Sequence, residues 1–411
     1  MKTLNSKVSF PRKLISLLLV LLLIALSASP LASAKSETQT GTNYPYIFVA
    51  GYAGFGQYDE MNNTLFKYWG MRSGDLLKYL NGQGFKCYAA SVDPVNSAWD
   101  RACELYAQLT GTVVDYGKVH SALYKHSRFG TDYSKEPLIT GWGSKDANGS
   151  IEKVNFVAHS FGGATVRLLA QLLAKGSPEE RSGTAQGTVS SLFTGGKPDW
   201  IYSITTLASP HNGTTVYNLA MPLKPLFPSG NTKIVGLPIT TSFGIYNYLK
   251  NVSKLLNNGI GEDSGAYDLS LDGAAKLNKM LTISDQIYCF SFPTDATVPA
   301  SHSDNRIPDT KLMDAGFLPF GLYMGRSTGV TAGGIVYDKS WFNNDGMVNT
   351  VSSKAPNDEP QKIFDANHIT KGTWNIMKTF RGDHASITGG LIREVNINPF
   401  YLAQLSLINS L

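Results

Sequence analysis

A mostly parallel α/β sheet flanked by helices is the fold class this sequence predicts. Three observations carry it: short apolar runs alternate with stretches of helical periodicity, the first run ends in a glycine turn, and a later run passes through a serine directly into a helix.

The chain opens with Lys2, Lys7, Arg12 and Lys13, continues in an apolar run over 14–26, and reaches Ala32-Ser33-Ala34. Basic flank, short apolar stretch and small residues have the form of an export leader over 1–34, cleaved after Ala34. The run is well short of the roughly 20 residues that span a bilayer. A polar tail follows, and 46–49 (Tyr46-Ile47-Phe48-Val49) reads as a buried strand entering the turn Gly51-Tyr52-Ala53-Gly54. Next come a helix over 75–80, a strand over 85–92 and a helix over 99–109, then a strand over 154–157 and a helix over 164–174. Two more β-branched or aromatic runs, 201–207 and 286–292, lie between polar turns.

Composition narrows the function. Removing the four basic leader residues from the 36 Lys and Arg leaves 32 against 31 Asp and Glu. So even a balance offers no electrostatic ground for nucleic acid or an anionic membrane as partner. Cys87, Cys103 and Cys289 are too few for a disulfide framework and read as buried free thiols. With no linker, charge block or repeat, 35–411 reads as one large domain with insertions.

The chemistry concentrates at Ala158-His159-Ser160-Phe161-Gly162-Gly163, between the strand at 154–157 and the helix that follows. This is the context of a nucleophile elbow, and it specifies an α/β-hydrolase fold. Small residues are needed two positions either side of the serine because strand and helix backbones meet there; Ala158 adds one methyl where glycine is usual. A serine hydroxyl attacks only when a base takes its proton, and in this fold acid and then histidine follow downstream. Of seven histidines, His368 and His384 lie far enough on. The acid could be Asp345, in Asn343-Asn344-Asp345-Gly346, or Asp295, and the residues alone leave both choices open. An elbow also supplies oxyanion donors: the backbone N–H of the residue after the serine, Phe161, and one from the first glycine turn, Tyr52.

At this point the chain resembles the secreted, zinc-containing true lipases of thermoalkaliphilic bacilli and staphylococci, with their clostridial-type relatives. The resemblance rests on Phe66-Lys67-Tyr68-Trp69-Gly70, Trp99-Asp100-Arg101-Ala102-Cys103-Glu104, Ala158-His159-Ser160, Ser209-Pro210-His211-Asn212-Gly213-Thr214-Thr215, Asn344-Asp345-Gly346 and Asp383-His384, in that order. It implies Ser160 as nucleophile, Asp345 as triad acid and His384 as general base. It further implies a structural zinc ion held by Asp100, His120, His126 and Asp268 in an insertion at about 95–135. Four N/O ligands suit a closed tetrahedral site. His120 and His126 converge only if the chain turns between them, and Gly130 marks an irregular segment nearby. Calcium is not expected, because the stretch after His384 carries no carboxylate before Glu394.

Between about 215 and 261, apolar residues such as Met221, Leu226, Phe227 and Phe243 are broken by Pro222, Pro225, Pro228 and Pro238. This is where the fold inserts a cap, and a helical lid over an acyl pocket is the expectation. Hydrophobic esters, including triacylglycerols, are the expected substrates, with lipid or polyester surfaces as the expected partners. Transfer of the acyl group to an alcohol, and a catalytically silent protein that binds zinc or lipid, are the competing functions. No organic cofactor is implied.

Overall fold

The computed structural model describes residues 42–64, 67–220 and 261–411. The leader expected over 1–34 and the lid residues 221–260 lie outside them.

The frame is a seven-stranded sheet. Its strands are β1 (Tyr46–Val49), β2 (Cys87–Ala90), β3 (Val154–His159), β4 (Ile201–Leu207), β5 (Tyr288–Phe292), β6 (Gln361–Ile363) and β7 (Trp374–Ile376). They lie in the order β6-β7-β5-β4-β3-β1-β2, and every pairing is parallel. Parallel strands need crossover connections that place helices on the sheet faces, so the central strands β1, β3 and β4 are buried on both sides, whereas the edge strand β6 is largely exposed. In β1 the two cores separate by residue parity. Tyr46 and Phe48 pack into one with Leu76 and Leu80 of α1 (Leu76–Gly82), while Ile47 and Val49 pack into the other. That second core contains α2 (Ala98–Thr110) and α4 (Gly162–Lys175), and the first is closed by Tyr401, Leu405 and Ile408 of α5 (Asn398–Asn409). Phe48, fully buried against Trp69 and Tyr401 at 4.9 and 6.0 Å between ring centroids, shows the scale. One such side chain contributes about 1.5–3 kcal/mol.

From the junction of β1 and β3 the chain order runs outward through β1 and β2 on one side and through β3, β4 and β5 on the other. Crevices at the carboxyl ends of strands beside such a reversal are where open α/β sheets bind ligands. Both the glycine turn after β1 and the serine after β3 fall there.

α2 is buried almost throughout, polar residues included, because the sheet and α4 cover one side and a further segment covers the other. Ser97 caps it, its Oγ accepting from Asp100 N at 3.3 Å, and Gly111 ends it at φ 63°. The covering segment holds α3 (Lys118–Tyr124) and an antiparallel pair, Val113–Asp115 with Phe129–Asp132. α3 stops at Lys125, which turns the chain at φ 61°, and the His126 amide returns to Ser121 O at 3.1 Å. The turn between the two histidines is therefore at Lys125, whereas Gly130 sits inside a strand. Cys87, Cys103 and Cys289 are buried free thiols. No helix among the described residues is long and apolar enough to cross a membrane.

Candidate active site

Ser160 has φ 54°, a left-handed conformation that costs a non-glycine residue about 1–3 kcal/mol. Surrounding structure imposes it. The Ser160 amide donates to Leu207 O at 2.9 Å, which fixes the residue to the end of β4. Two glycines make the turn possible: a Cβ on Gly51 would stand 2.6 Å from Ser160 Cβ, and one on Gly162 2.5 Å from Val49 O. Ala158 tolerates its methyl because it lies in β3, paired with Val49 and Thr206, in the second core.

The structure brings Ser160, His384 and Asp345 together. His384 Nε2 lies 2.9 Å from Ser160 Oγ, and Nδ1 lies 2.9 Å from Asp345 Oδ2. A carboxylate only accepts, so Nδ1 carries the proton and Nε2 faces the hydroxyl as a base. Asp345 is fully buried, and its oxygens accept from Thr294 Oγ1 at 2.5 Å and from the amides of Met347 and Val348 at 2.9 and 2.7 Å. Burial alone would raise its pKa; the electrostatic interaction with His384 and these hydrogen bonds outweigh it and hold the carboxyl below its ordinary value.

The alternatives that the sequence leaves open stand apart in space. His368 is exposed and paired with Asp365, Nδ1 to Oδ2 at 2.7 Å. Asp295 is engaged by the amide and hydroxyl of Thr297, by Asn343 Nδ2 at 2.9 Å and by Arg381 Nη1 at 2.8 Å.

Two groups the sequence reading passed over support the constellation. His159 links its two halves: Nε2 donates to His384 O at 3.0 Å, and Nδ1 accepts from Tyr68 Oη at 2.7 Å. Tyr68 Oη in turn accepts from Gly51 N at 3.0 Å. Burial, and then the neighbouring His384, push the His159 pKa well below its usual value, so this imidazole stays neutral. The second is Arg101. Its guanidinium donates to Ala50 O at 2.5 Å and to Gly51 O at 3.2 Å, and lies 4.9 Å over the ring of Phe161. The Phe161 amide donates to no acceptor among the described residues.

The second cluster of acids and histidines is partly buried beside α2. It consists of Asp100, His120, His126 and Asp263, with one donor atom of each within 4.8 Å of all the others. His120 Nε2 is 3.1 Å from Asp100 Oδ1 and 3.4 Å from Asp263 Oδ1; His126 Nε2 is 4.0 and 3.5 Å from the same two carboxylates. Ligands about 2.0 Å from a tetrahedral ion stand roughly 3.3 Å from one another, so these spacings fit one. His126 Nε2 is buried with no hydrogen bond among the described residues, while its Nδ1 lies 2.9 Å from Ser127 O. That is the tautomer a metal-ligating Nε2 requires.

The fourth side chain corrects the sequence expectation, which placed Asp268 there. Asp268 Oδ2 instead accepts from Ala98 N at 2.7 Å, at the first turn of α2. The short helix Gly265–Asp268, capped by Ser264, sends Asp268 inward to that amide and leaves Asp263 just ahead of it to face the histidines. Burial, with Asp263 and Asp100 nearby, pushes the Asp268 carboxyl up to about 7.

A parallel sheet with a strained serine at a strand–helix turn, at the point where strand order reverses, defines an α/β-hydrolase fold. Within that class the chain belongs to the lipase-like, C-terminal domain family, whose sequence model matches residues 42–223 and 235–397. It is 33% identical over 368 residues to Lipase 1 of Staphylococcus aureus strain MRSA252, an alignment covering 84% of this chain and 50% of that protein. The chain therefore spans about half the length of the curated relatives it matches. Among solved structures it is similar to EstA from Clostridium botulinum (32% identity, TM-score 0.74, 92% of this chain and 89% of that one). It is also similar to lipase 1 from Pelosinus fermentans (34% identity, TM-score 0.72, 90% and 99%).

Proposed function

We propose that this chain hydrolyses carboxylic esters of hydrophobic acids through an acyl-enzyme on Ser160. The observation that carries the reading is the contact of Ser160 Oγ with His384 Nε2 at 2.9 Å, with Nδ1 held by a buried Asp345. His384 takes the hydroxyl proton as Oγ attacks the ester carbonyl carbon. The imidazolium that results is stabilised by the Asp345 carboxylate, which also fixes the tautomer. Charge on the former carbonyl oxygen is met by the N–H groups of Phe161 and Tyr52. Collapse breaks the bond to the alcohol, which leaves with the proton from His384. Water then repeats the sequence on the acyl-enzyme and releases the acid.

Asp100, His120, His126 and Asp263 are the residues that would hold zinc. Two nitrogens and two oxygens suit that ion, and a site closed by four protein ligands supplies structural cross-linking and charge neutralisation. The relatives' names support lipids as substrates, and the leader-like residues 1–34 support action outside the cell. Attack on aliphatic polyester surfaces follows from the same chemistry, because the site responds to the ester and its access, not to the rest of the polymer.

The test is hydrolysis of p-nitrophenyl esters from acetyl to long acyl chains by the protein and its Ser160→Ala variant. Turnover in the first and a loss of roughly 10⁴-fold or more in the folded second is expected. Equal activity in both would exclude Ser160 as nucleophile.

A further inference from the structure

The hydrolase reading places charge against the N–H of Tyr52, and that N–H belongs to the peptide unit whose carbonyl is Gly51 O. Arg101 donates to this carbonyl through Nη1 at 3.2 Å and to the preceding one, Ala50 O, through Nη2 at 2.5 Å. Its other donors are fixed as well: Nη1 also reaches Asp93 O at 3.0 Å, and Nε reaches Thr165 Oγ1 at 3.0 Å. Thr165 sits on the first turn of α4 and donates to Phe161 O at 3.3 Å. The guanidinium face covers the Phe161 ring at 4.9 Å, so one side chain touches the residues that supply both oxyanion donors.

Arg101 has no exposed surface, and burial lowers its pKa to about 10, which leaves it a cation at neutral pH. A desolvated charge is costly. Arg167, the other buried arginine among the described residues, meets Glu359 at 2.9 Å; Arg101 meets three backbone carbonyls and a hydroxyl. The difference has a chemical consequence. A cation bonded to the carbonyl of a peptide draws electron density toward that oxygen and makes the N–H on the other side a stronger donor. The planar fork also fixes the peptide in rotation, so the N–H needs no reorientation when the oxyanion forms.

We propose that Arg101 is the positioning residue of the oxyanion hole, orienting and polarising the Gly51–Tyr52 peptide while bracing Phe161. This rests on the serine-hydrolase reading and deepens it. Lysine keeps the charge but cannot fork across two carbonyls, so Arg101→Lys separates geometry from charge. Thr165→Val frees Nε and removes the Thr165–Phe161 hydrogen bond, while the fork on Ala50 O and Gly51 O stays in place.

The experiment measures kcat and KM for a soluble short-chain p-nitrophenyl ester, inhibition by a trifluoromethyl ketone that forms a tetrahedral anion on serine, and thermal unfolding, in the wild type and both variants. Arg101→Lys is expected to lower kcat by about 10- to 100-fold, part of what complete loss of one oxyanion donor costs. KM should move little, and the ketone should weaken in step with kcat/KM. A merely structural role would lower Tm without linking the ketone's affinity to turnover. If Arg101→Lys does not fold, Thr165→Val carries the test with a smaller loss in the same direction. A folded variant with wild-type kcat and ketone affinity would overturn the proposal for Arg101 alone. A wild type that neither turns over esters nor binds the ketone would overturn the hydrolase reading and this proposal with it.

Discussion

Two groups of aspartate and histidine flank this sheet, and they are held together by different means. Around Ser160 the protein supplies every partner. Asp345 accepts from His384, Thr294 and two amides, and His159 ties the His384 backbone through Tyr68 to the turn after β1. Beside α2, Asp100, His120, His126 and Asp263 face one another at 3.1–4.0 Å, with His126 Nε2 unbonded among the described residues. The first is preorganised by hydrogen bonds; the second gathers four donor atoms that could hold a metal ion. On the proposed reading, similar residue types separate into a site that would react and a site that could hold a metal ion, according to where their spare lone pairs go.

The comparison is broken most severely by Asp345→Asn. An amide at this position can hold His384 in the wrong tautomer, with Nδ1 accepting and the proton on Nε2, so kcat is expected to fall about 10⁴-fold while the fold persists. Steady-state kinetics beside circular dichroism checks this, and a loss under tenfold would mean that Asp345 does not orient the base.

A smaller effect sharpens the other half. Asp263→Ala should abolish stoichiometric zinc binding, whereas Asp268→Ala should retain one ion per chain and lose about 1–2 kcal/mol of stability, the cost of a missing helix cap. Calorimetric titration of the metal-free protein separates the two, and the reverse result would restore Asp268 as ligand. The same titration carries a pH sign. Burial lowers the His120 pKa, but hydrogen bonds to Asp100 and Asp263 outweigh it and raise the imidazole to about 9 in the metal-free protein. At pH 7.5 it is therefore protonated and must lose about one proton to ligate, so zinc affinity should rise with pH up to that value. Titration heats that do not depend on the ionisation enthalpy of the buffer would contradict this.

What the sequence made legible follows the same division. The central strands and their crossover helices stand out because burial on both faces writes them as apolar runs, and 201–207 coincides with β4. The edge strand β6 is three residues with largely exposed side chains, so it carries no such signal. The elbow is legible because sterics there demand small residues at fixed spacing, as the Gly51 and Gly162 contacts show. Asp263 and Asp268 are not distinguishable from spacing alone. Five residues apart and both acidic, they are assigned by the helix Gly265–Asp268, which turns one toward Ala98 N and the other toward the histidines. Arg101 was hidden for a different reason. Arginine is ordinarily a surface residue, and only the covering of α2 on both sides reveals that this one is buried against the glycine turn.

The most direct measurement is mass spectrometry of the intact and digested protein after reaction with a fluorophosphonate, which mimics the ester and stays on the nucleophile. One adduct per chain on the peptide carrying Ser160, formed far more slowly in His384→Ala, is the result expected from a serine activated by histidine. An adduct on another residue, or none in a folded protein, would contradict it.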